Sequence, residues 1–323
     1  KALSEAKERV NSALKNSDIK PPNKENRKIT VNLAPADIKK AGSQYDLAIA
    51  IGYALTTEQI RPFDTKDKVF VGELALNGEL RPISGALSIA EMAEGLGYKY
   101  LFLPKTNAEE ANIIKRINVI GVETLKELIS FLENPEKLHI SPKENTKTKN
   151  ESNEFKITLD DIRGQENAKR ALIISASGGH NLLMTGTPGA GKSIIAESII
   201  SILPETTPEE SIEITKVWSA AGLNKGGLIS VRPFRSPHHS ASIISVVGGG
   251  SNPKPGEISL AHRGVLFLDE LPEYKRKVME VMRQPLEERK VTISRAKFTV
   301  DYPASFMLVA AMNPCPCGYF NHP

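Results

Sequence analysis

The chain has 323 residues, of which 40% are hydrophobic and 25% are charged, a composition that suits two ordinary soluble domains with buried cores. Its formal net charge of +4 is too small for this length to attract nucleic acid or membranes by bulk charge alone. The sequence contains no uninterrupted apolar run of about 18 residues and opens on no signal sequence, so we expect a cytoplasmic protein without a membrane partner.

Residues 1–137 alternate predicted helices and strands. Helical spacing of apolar residues covers 3–14, 47–55 and 86–96, and strand-like apolar runs cover 29–33, 69–76, 79–83 and 100–104. Asn77-Gly78 separates two of these runs, and this pair favours the two positive dihedrals of a two-residue hairpin turn. The pattern predicts an α+β domain.

A polar segment, residues 138–155, follows the first domain. Its stretch from 141 to 154 contains Ser, Pro, Lys, Glu, Asn and Thr but no apolar side chain that could anchor it. Such a composition is typical of a solvated linker. We therefore expect a second domain over residues 156–323.

The second domain carries a glycine-rich loop between a predicted strand and a predicted helix. Three glycines allow the loop to turn its amide hydrogens toward an oxyanion at the positive end of the helix. Lys192 can reach the β- and γ-phosphate oxygens, and the Ser193 hydroxyl can ligate Mg²⁺. The predicted ATP-binding residues of this loop are Gly186, Thr187, Pro188, Gly189, Ala190, Gly191, Lys192 and Ser193.

Two carboxylates follow the apolar run of residues 265–268. A run without polar residues is typical of a central strand in a parallel sheet, which would deliver Asp269 and Glu270 at its carboxyl end. We expect Asp269 to orient the magnesium shell and Glu270 to polarise the attacking water. A solvated acidic pair after a buried strand is the alternative.

A further buried strand is predicted over residues 306–312, with Asn313 at its carboxyl tip. An amide can donate to the γ-phosphate and accept from water without repelling the nucleotide. The predicted catalytic residues are therefore Lys192, Glu270 and Asn313. Because Pro314 follows, a plain turn is the alternative for Asn313.

Two segments between these strands carry basic residues. Residues 246–256 are rich in glycine and proline, which favours a flexible projecting loop over a packed element. Residues 290–300 predict two short strands around a turn. Their cations could contact nucleic-acid phosphates without sequence preference; a hairpin with solvated charges is the alternative. The candidate DNA contacts are Lys254, Lys290, Arg295 and Lys297.

Histidine and cysteine pairs complete the candidate residues. His238 and His239 lack a flanking cysteine or carboxylate cluster, so we expect structural or pore-facing roles rather than metal binding. Cys315 and Cys317 are too close in sequence for an ordinary disulfide, so we expect reduced thiols.

The strand–loop–helix, the acidic strand and the Asn-tipped strand, in this order, resemble the AAA+ ATPase module. Longer stretches resemble the magnesium-chelatase-like AAA+ family that includes ComM and YifB, over essentially the whole chain: residues 29–40, 163–170, 232–239 and 255–262. The resemblance implies an α/β fold, a P-loop parallel-sheet domain and assembly as a homo-hexamer. It also implies that Ile162, Gly164 and Gln165 lie near the adenine, and that the two cysteines form half of a four-cysteine site.

The first domain resembles the proteolytic domain of Lon-type proteases, of the ribosomal S5 domain 2-like fold, most clearly over residues 72–85. The comparison puts Gln44 at the position of the nucleophilic serine and Ile89 at that of the lysine base. Ser43, with a lysine nearby, is the remaining candidate. A nucleophile without an activating base stays unreactive, so we expect no peptidase activity.

The family continues past the Asn-tipped strand into a helical lid with an arginine finger and a second sensor, whereas this sequence stops at Pro323. We therefore expect a domain truncated before the lid. An arginine finger contributes about 10³ to 10⁵ in rate in other phosphoryl-transfer proteins, so we expect nucleotide binding with weak hydrolysis.

The resemblance implies an ATP-dependent motor that uses Mg²⁺ and remodels single-stranded or branched DNA, as a ring helicase or branch-migration factor in DNA uptake and recombination. A chelatase-like ATPase subunit that drives metal insertion is the alternative. A non-enzymatic scaffold or an ATP-dependent protease would require a dead ATP site or a working dyad.

Overall fold

The computed structural model describes residues 2–24, 29–32, 43–134, 136, 157–224, 226–250, 253–295 and 298–315. The chain divides into two compact units, Lys1–Lys147 with Gly222–Leu228, and Thr148–Ala221 with Ile229–Pro323. The predicted linker, residues 138–155, lies outside the described residues. In the described part of the chain, no helix is both long enough and apolar enough to cross a membrane.

The first unit is built from helices around a small parallel sheet with strand order β1-β4-β5. Its strands are β1 (Lys68–Phe70), β2 (Glu73–Leu74), β3 (Leu80–Arg81), β4 (Tyr100–Pro104) and β5 (Asn118–Val122). Its helices are α1 (Ala2–Asn16), α2 (Asp46–Thr56), α3 (Ala86–Gly95), α4 (Lys105–Ala111) and α5 (Leu125–Glu133), with a 3₁₀ turn at Pro22–Lys24. The middle strand β4 is almost fully buried, as a strand covered on both faces requires.

Two sequence predictions in this unit are wrong. Residues 29–32 form no strand. The strand β1 pairs in parallel with β4 instead of extending the hairpin, which is reduced to β2 and β3. Within the turn, Gly78 has φ +89° but Asn77 keeps a negative φ, because the loop is longer than two residues and spans 75–79. Packing against β4 therefore outweighs the local tendency to extend the hairpin.

The second unit contains a four-stranded parallel sheet with strand order β6-β13-β10-β7. Its strands are β6 (Leu182–Thr185), β7 (Phe234–Arg235), β8 (Gly248–Gly249), β9 (Lys254–Pro255), β10 (Val265–Leu268), β11 (Lys290–Arg295), β12 (Phe298–Pro303) and β13 (Met307–Met312). Its helices are α6 (Glu166–Gly178), α7 (Lys192–Ser198), α8 (Pro208–Ala221), α9 (Ile243–Val247), α10 (Glu257–Leu260), α11 (Arg276–Val281) and α12 (Arg283–Glu288). Short 3₁₀ helices cover Leu159–Asp161, Ile199–Ile202 and Leu271–Glu273.

The buried strand β10 organises the second unit. Its four residues are all buried, as is typical of a parallel strand covered on both faces, and it pairs with β13 along one edge and with β7 along the other. All strands of a parallel sheet end at the same edge, so the residues that follow β6, β10 and β13 come together there. The glycine-rich loop follows β6, Asp269 follows β10, and Asn313 follows β13.

The glycine- and proline-rich insertion is more ordered than predicted. Its described residues form an antiparallel pair, β8 with β9, so the expectation of an unpacked loop is wrong at its base. Gly256 packs so closely that a Cβ atom there would collide with the backbone of Gly248 and Val246. The strands β11 and β12 form the predicted second hairpin. Tyr302 of that hairpin donates from its hydroxyl to the carbonyl oxygen of Pro253, at 3.0 Å.

Candidate functional site

The glycine-rich loop, residues 186–191, joins β6 to α7 at the carboxyl edge of the sheet. Gly189 and Gly191 have φ of +76° and +82°, values that residues with a Cβ atom rarely adopt. The amide of Gly186 donates to the carbonyl oxygen of Met312 at 3.3 Å. The loop is therefore attached to the last residue of β13, next to Asn313.

Lys192 connects the loop to the neighbouring strand tip. Its Nζ atom donates to the carbonyl oxygens of Gly186 at 2.9 Å and Thr187 at 3.0 Å, and to Oδ1 of Asn313 at 3.0 Å. An ammonium group has three donors, and all three have acceptors at the mouth of the loop. The positive charge is thereby held where an entering oxyanion would meet it.

Ser193 and Asp269 form the next contact along the edge. The Ser193 hydroxyl donates to Oδ2 of Asp269 at 2.6 Å. The described residues contain no group of three or more His, Cys, Asp or Glu side chains that could hold a metal ion. Two protein oxygens nevertheless fit Mg²⁺, which binds oxygen ligands and usually keeps several waters alongside one or two carboxylates and substrate phosphates.

These side chains open onto one cavity of about 380 Å³. Ligand sites commonly enclose about 300–1,000 Å³, so the space suits a nucleotide phosphate tail rather than a macromolecule. The cavity is lined by Pro188, Gly189, Ala190, Gly191, Lys192, Ser193, Ile194, Asp269, Glu270, Met312 and Asn313. Every predicted catalytic and magnesium-binding residue is among them.

The predicted adenine segment lies elsewhere. Ile162 is half-buried against a core cluster that includes Ala196 and Ile199. Gly164 and Gln165 have φ of +67° and +58° just before α6 begins. The segment is thus packed beside the helix that follows the glycine-rich loop, but Ile162, Gly164 and Gln165 do not line the cavity.

Glu270 has an unusual backbone and an unexpected neighbour. Its φ of +50° and ψ of 49° lie in the left-handed region, which is uncommon for residues other than glycine. Its Oε2 atom lies 3.1 Å from Nδ1 of His239, which follows β7. Sequence reasoning missed this contact, since His239 and Glu270 are brought together only by the parallel pairing of β7 with β10.

Comparisons with known proteins agree with this arrangement. A family model described as "Magnesium chelatase, subunit ChlI" matches residues 158–323, about half of the chain, and a second, "Subunit ChlI of Mg-chelatase", matches residues 1–107. The chain belongs to the magnesium chelatase ChlI family. Within this family it is of the ComM/YifB type, as the following relatives show.

Competence protein ComM of Haemophilus influenzae is 46% identical to this ChlI-family chain over 323 residues, covering 99% of the chain and 62% of ComM. The uncharacterized protein YifB of Escherichia coli is 45% identical, with the same coverage. The magnesium-chelatase 67 kDa subunit of Chlorobaculum parvum is 29% identical over 164 residues, covering 49% of the chain and 23% of that subunit. The chain thus spans about 62% of the length of ComM and YifB.

The candidate DNA contacts of this ChlI-family member whose side chains the structure describes, Lys254 and Lys290, lie on the two hairpins. Lys254, in β9, is exposed, and Nζ of Lys290, in β11, lies 3.6 Å from Oδ2 of Asp301. Arg295 ends β11, but its side chain and all of Lys297 lie outside the described residues. Because Tyr302 contacts Pro253, Lys254 and Lys290 belong to hairpins that pack together.

The cysteine prediction requires a correction. Cys315 is disulfide-bonded, so the expectation of a reduced thiol there is wrong. Cys317, the only other cysteine of the sequence, lies outside the described residues.

Proposed function

We propose that the chain is the ATP-hydrolysing part of a DNA-remodelling motor, a ring helicase or branch-migration factor that acts in DNA uptake and recombination. One observation carries the ATPase half of this proposal: Lys192 contacts Asn313, and Ser193 contacts Asp269, at the rim of one cavity. Four side chains from three segments of the sequence therefore meet where a phosphate chain would enter.

Each residue has a distinct role in the proposed reaction. Lys192 would exchange its carbonyl and amide acceptors for the β- and γ-phosphate oxygens of ATP. Ser193 and Asp269 would hold Mg²⁺, which when bound neutralises charge on the phosphate oxygens. Glu270 would accept a proton from the attacking water, and Asn313 would donate its amide hydrogen to the γ-phosphate.

The DNA half of the proposal is supported by charge and by relationship. Lys254 and Lys290 are exposed cations on two packed hairpins, and Arg295 and Lys297 follow in the same sequence segment. Six copies in a ring would form a continuous positive collar that binds single-stranded or branched DNA by counterion release. The name of the relative ComM, a competence protein, agrees with a role in DNA uptake.

Fluorescence anisotropy of labelled single-stranded and forked DNA measures the proposed DNA binding by the intact protein. We expect binding at low salt that strengthens with MgATP and weakens as salt rises. A Lys254→Ala, Lys290→Ala double variant should reduce the salt slope by about one per phosphate contact. The matched control removes two other exposed lysines of the second unit, Lys275 and Lys277. DNA binding that is absent at low salt, with and without nucleotide, would eliminate the motor.

A chelatase-like ATPase subunit that drives metal insertion into a tetrapyrrole is the second candidate. The family description and the magnesium-chelatase relative favour it. It requires the same ATP site but no cationic collar. ATP turnover that is unaffected by any DNA, together with DNA affinity equal in the lysine variants and the intact protein, would favour this candidate over the motor.

A further inference from the structure

A second cavity, of about 390 Å³, lies at the amino edge of the four-stranded sheet, and we call it the amino-edge cavity. Each strand of the sheet is preceded by a polar residue that lines it: Asn181 before β6, Ser305 before β13, Arg263 before β10 and Arg232 before β7. The strands β6, β10 and β13 have four to six residues, which span about 13–20 Å at about 3.3 Å per residue. The amino-edge cavity is therefore separate from the proposed ATP site at the carboxyl edge.

Two arginines of the amino-edge cavity are held in ion pairs. Nη2 of Arg232 donates to Oε2 of Glu210 at 2.7 Å. Its Nε and Nη1 atoms donate to the carbonyl oxygens of Pro204 and Arg263, at 2.6 and 2.8 Å. Nε of Arg263 donates to Oε2 of Glu213 at 2.7 Å. Because each of these guanidinium groups has a carboxylate partner, the two pairs add no net charge to the cavity.

Arg289, which directly follows α12, brings a third guanidinium group to the lining. Its side chain is exposed and has no ion pair or hydrogen bond with any other residue that the structure describes. The carboxylate of the preceding residue, Glu288, instead accepts from Nε2 of Gln284 at 3.1 Å. The positive charge of Arg289 is thus available to a ligand.

Neutral donors and apolar side chains complete the lining. Oδ1 of Asn181 accepts from the amide of Leu308 at 2.9 Å, which leaves the Nδ2 donors of Asn181 for a ligand. The Ser305 hydroxyl likewise has no hydrogen-bond partner within the described ranges of the chain. Leu203 and Leu286 contribute apolar surface, and Leu286 is 36% exposed. The lining therefore offers donors for an oxyanion and an apolar surface for the group that carries it.

We propose that the amino-edge cavity binds a small organic anion, with a phosphate or carboxylate group on an apolar body. Arg289, Nδ2 of Asn181 and the Ser305 hydroxyl donate to the oxyanion, and Leu286 contacts the apolar body. A guanidinium group can bind either oxyanion through two parallel hydrogen bonds, so one site accepts both chemistries. Ligand pockets commonly enclose about 300–1,000 Å³, so a cavity at the lower end of this range fits a small molecule. The inference goes beyond the proposed ATPase function and does not depend on it.

Saturation-transfer NMR measures the binding of two probes, phenyl phosphate and benzoate, to the intact protein. Each probe carries its anionic group on an apolar ring, and their relative affinities separate a phosphate ligand from a carboxylate ligand. All proteins in this experiment carry Lys192→Ala, which removes the cation that would hold a phosphate at the glycine-rich loop. We expect saturable binding of at least one probe and about tenfold weaker binding of phenol, which keeps the ring but lacks the charge. Binding of neither probe, or equal affinity for phenol, would overturn the proposal.

The matched variants are Arg289→Gln and Arg283→Gln. Arg283 is an exposed arginine of α12 that lies outside the lining of the amino-edge cavity. Arg289→Gln should weaken the binding of the charged probe about tenfold, because a charge-assisted hydrogen bond is lost, whereas Arg283→Gln should leave the affinity unchanged. Equal affinities in the two variants would show that the probe binds elsewhere.

A further variant guards against a folding defect in Arg289→Gln. Ser305→Ala removes only the hydroxyl group from the lining, so the affinity for the charged probe should fall about threefold while the urea midpoint of unfolding stays unchanged. Unchanged affinity in Ser305→Ala would remove the hydroxyl from the site and contradict the proposed arrangement. Failure of these probes to bind leaves the proposed ATP site untouched, whereas absence of MgATP binding in a calorimeter would end the proposed function without affecting this site.

Discussion

The two units use carboxylates in opposite ways. In the first unit, Asp46 is 1% exposed and accepts from Nε of Arg9 at 2.8 Å and from the amide of Leu74 at 3.4 Å. In the second unit, Glu270 is more than half exposed and contacts His239. A buried charge must keep its partner because desolvation costs several kcal/mol per ion. An exposed carboxylate can exchange partners, and this freedom separates a group that stabilises the fold from one available for chemistry.

The same contrast extends to other polar side chains. Asn107 and Glu110 of α4 are buried and bonded to the backbone of Ile83 and Leu87. Lys192 and Asn313, at the carboxyl edge of the second sheet, are only partly buried. Their hydrogen bonds to each other would be replaced by bonds to a ligand at little cost. Exposure and exchangeable partners, rather than residue type, therefore distinguish the candidate site from the buried polar groups of the first unit.

The largest expected effect belongs to the exchangeable carboxylate. Glu270→Gln keeps the size of the side chain but removes its capacity to accept a proton. We expect kcat for ATP hydrolysis to fall by about 10² to 10⁴, the usual contribution of general acid–base catalysis. The affinity for MgATP should be unchanged, and DNA binding should strengthen because ATP is retained.

Phosphate release and calorimetric titration of MgATP measure these two quantities. Glu273→Gln is the matched control, because Glu273 is exposed and outside the cavity lining. Equal turnover in Glu270→Gln and Glu273→Gln would show that Glu270 does not accept the proton in hydrolysis. The exposed carboxylate of the second unit would then have no chemical role that distinguishes it from the buried Asp46.

The buried carboxylate predicts a loss of stability instead of activity. Burial raises the pKa of Asp46, against the opposing hydrogen bond from Arg9. Arg9→Ala removes the guanidinium partner of Asp46 and leaves the buried carboxyl with the amide of Leu74 as a donor, so the first unit should be destabilised by about 3 kcal/mol, at the low end of the range for broken buried pairs. Lys7→Ala, an exposed change on the same helix, is the control.

Amide hydrogen exchange resolved by peptide measures this effect, because a global unfolding curve would mix the two units. Exchange should accelerate in α1 and α2 of Arg9→Ala, while MgATP affinity stays unchanged. Protection in Arg9→Ala equal to that in Lys7→Ala would show that the Arg9–Asp46 pair does not hold the first unit together.

A smaller effect is expected from the buried histidine of the second unit. Burial lowers the pKa of His262, whose Nε2 atom lies 3.1 Å from Oε2 of Glu213 and whose Nδ1 atom accepts from the amide of Ser305. The contribution of His262 to the free energy of unfolding is therefore fully present above its unfolded pKa of about 6.5. This contribution is lost as the pH falls from 6.5 toward the lower pKa of His262 in the folded protein.

Urea unfolding followed by the fluorescence of Trp218, the sole tryptophan, measures this dependence in the second unit. The urea concentration at the unfolding midpoint should decrease as the pH is lowered from 7.5 to 5.5, and His262→Gln should make that decrease smaller. His180→Gln, at an exposed histidine, is the control and should retain it. An equal pH dependence in the His180 and His262 variants would contradict the assignment.

The glycine-rich loop and the polar groups after β10 and β13 were predictable because each signal is local. Gly189 and Gly191 have positive φ values that other residues rarely adopt, so their positions indicate a tight loop. Asp269 directly follows an apolar run that forms a buried strand, so it lies at the end of that strand. That these groups meet follows from the common carboxyl edge of parallel strands. The predicted roles of these residues stay predictions until ligand binding is measured.

The contacts that could not be predicted from the sequence are those set by the order of strands in the two sheets. Nothing near His239 identifies its neighbour, because the neighbour is set by the pairing of β7 with β10. The pairing of β1 with β4 likewise overrode the apparent continuity of the hairpin around Gly78. The Lon-like character of the first domain stays a prediction from resemblance, as do the domain limits at residues 137 and 156.

Calorimetric titration of MgATP into the intact protein and into Lys192→Ala measures whether the glycine-rich loop binds nucleotide. We expect saturable binding that requires Mg²⁺ and is lost in Lys192→Ala, while Lys277→Ala, at an exposed lysine outside the cavity lining, should bind MgATP as the unaltered protein does. Folded protein that takes up no MgATP, or a Lys192→Ala variant that binds it with unchanged affinity, would show that the cavity beside the glycine-rich loop is not an ATP site.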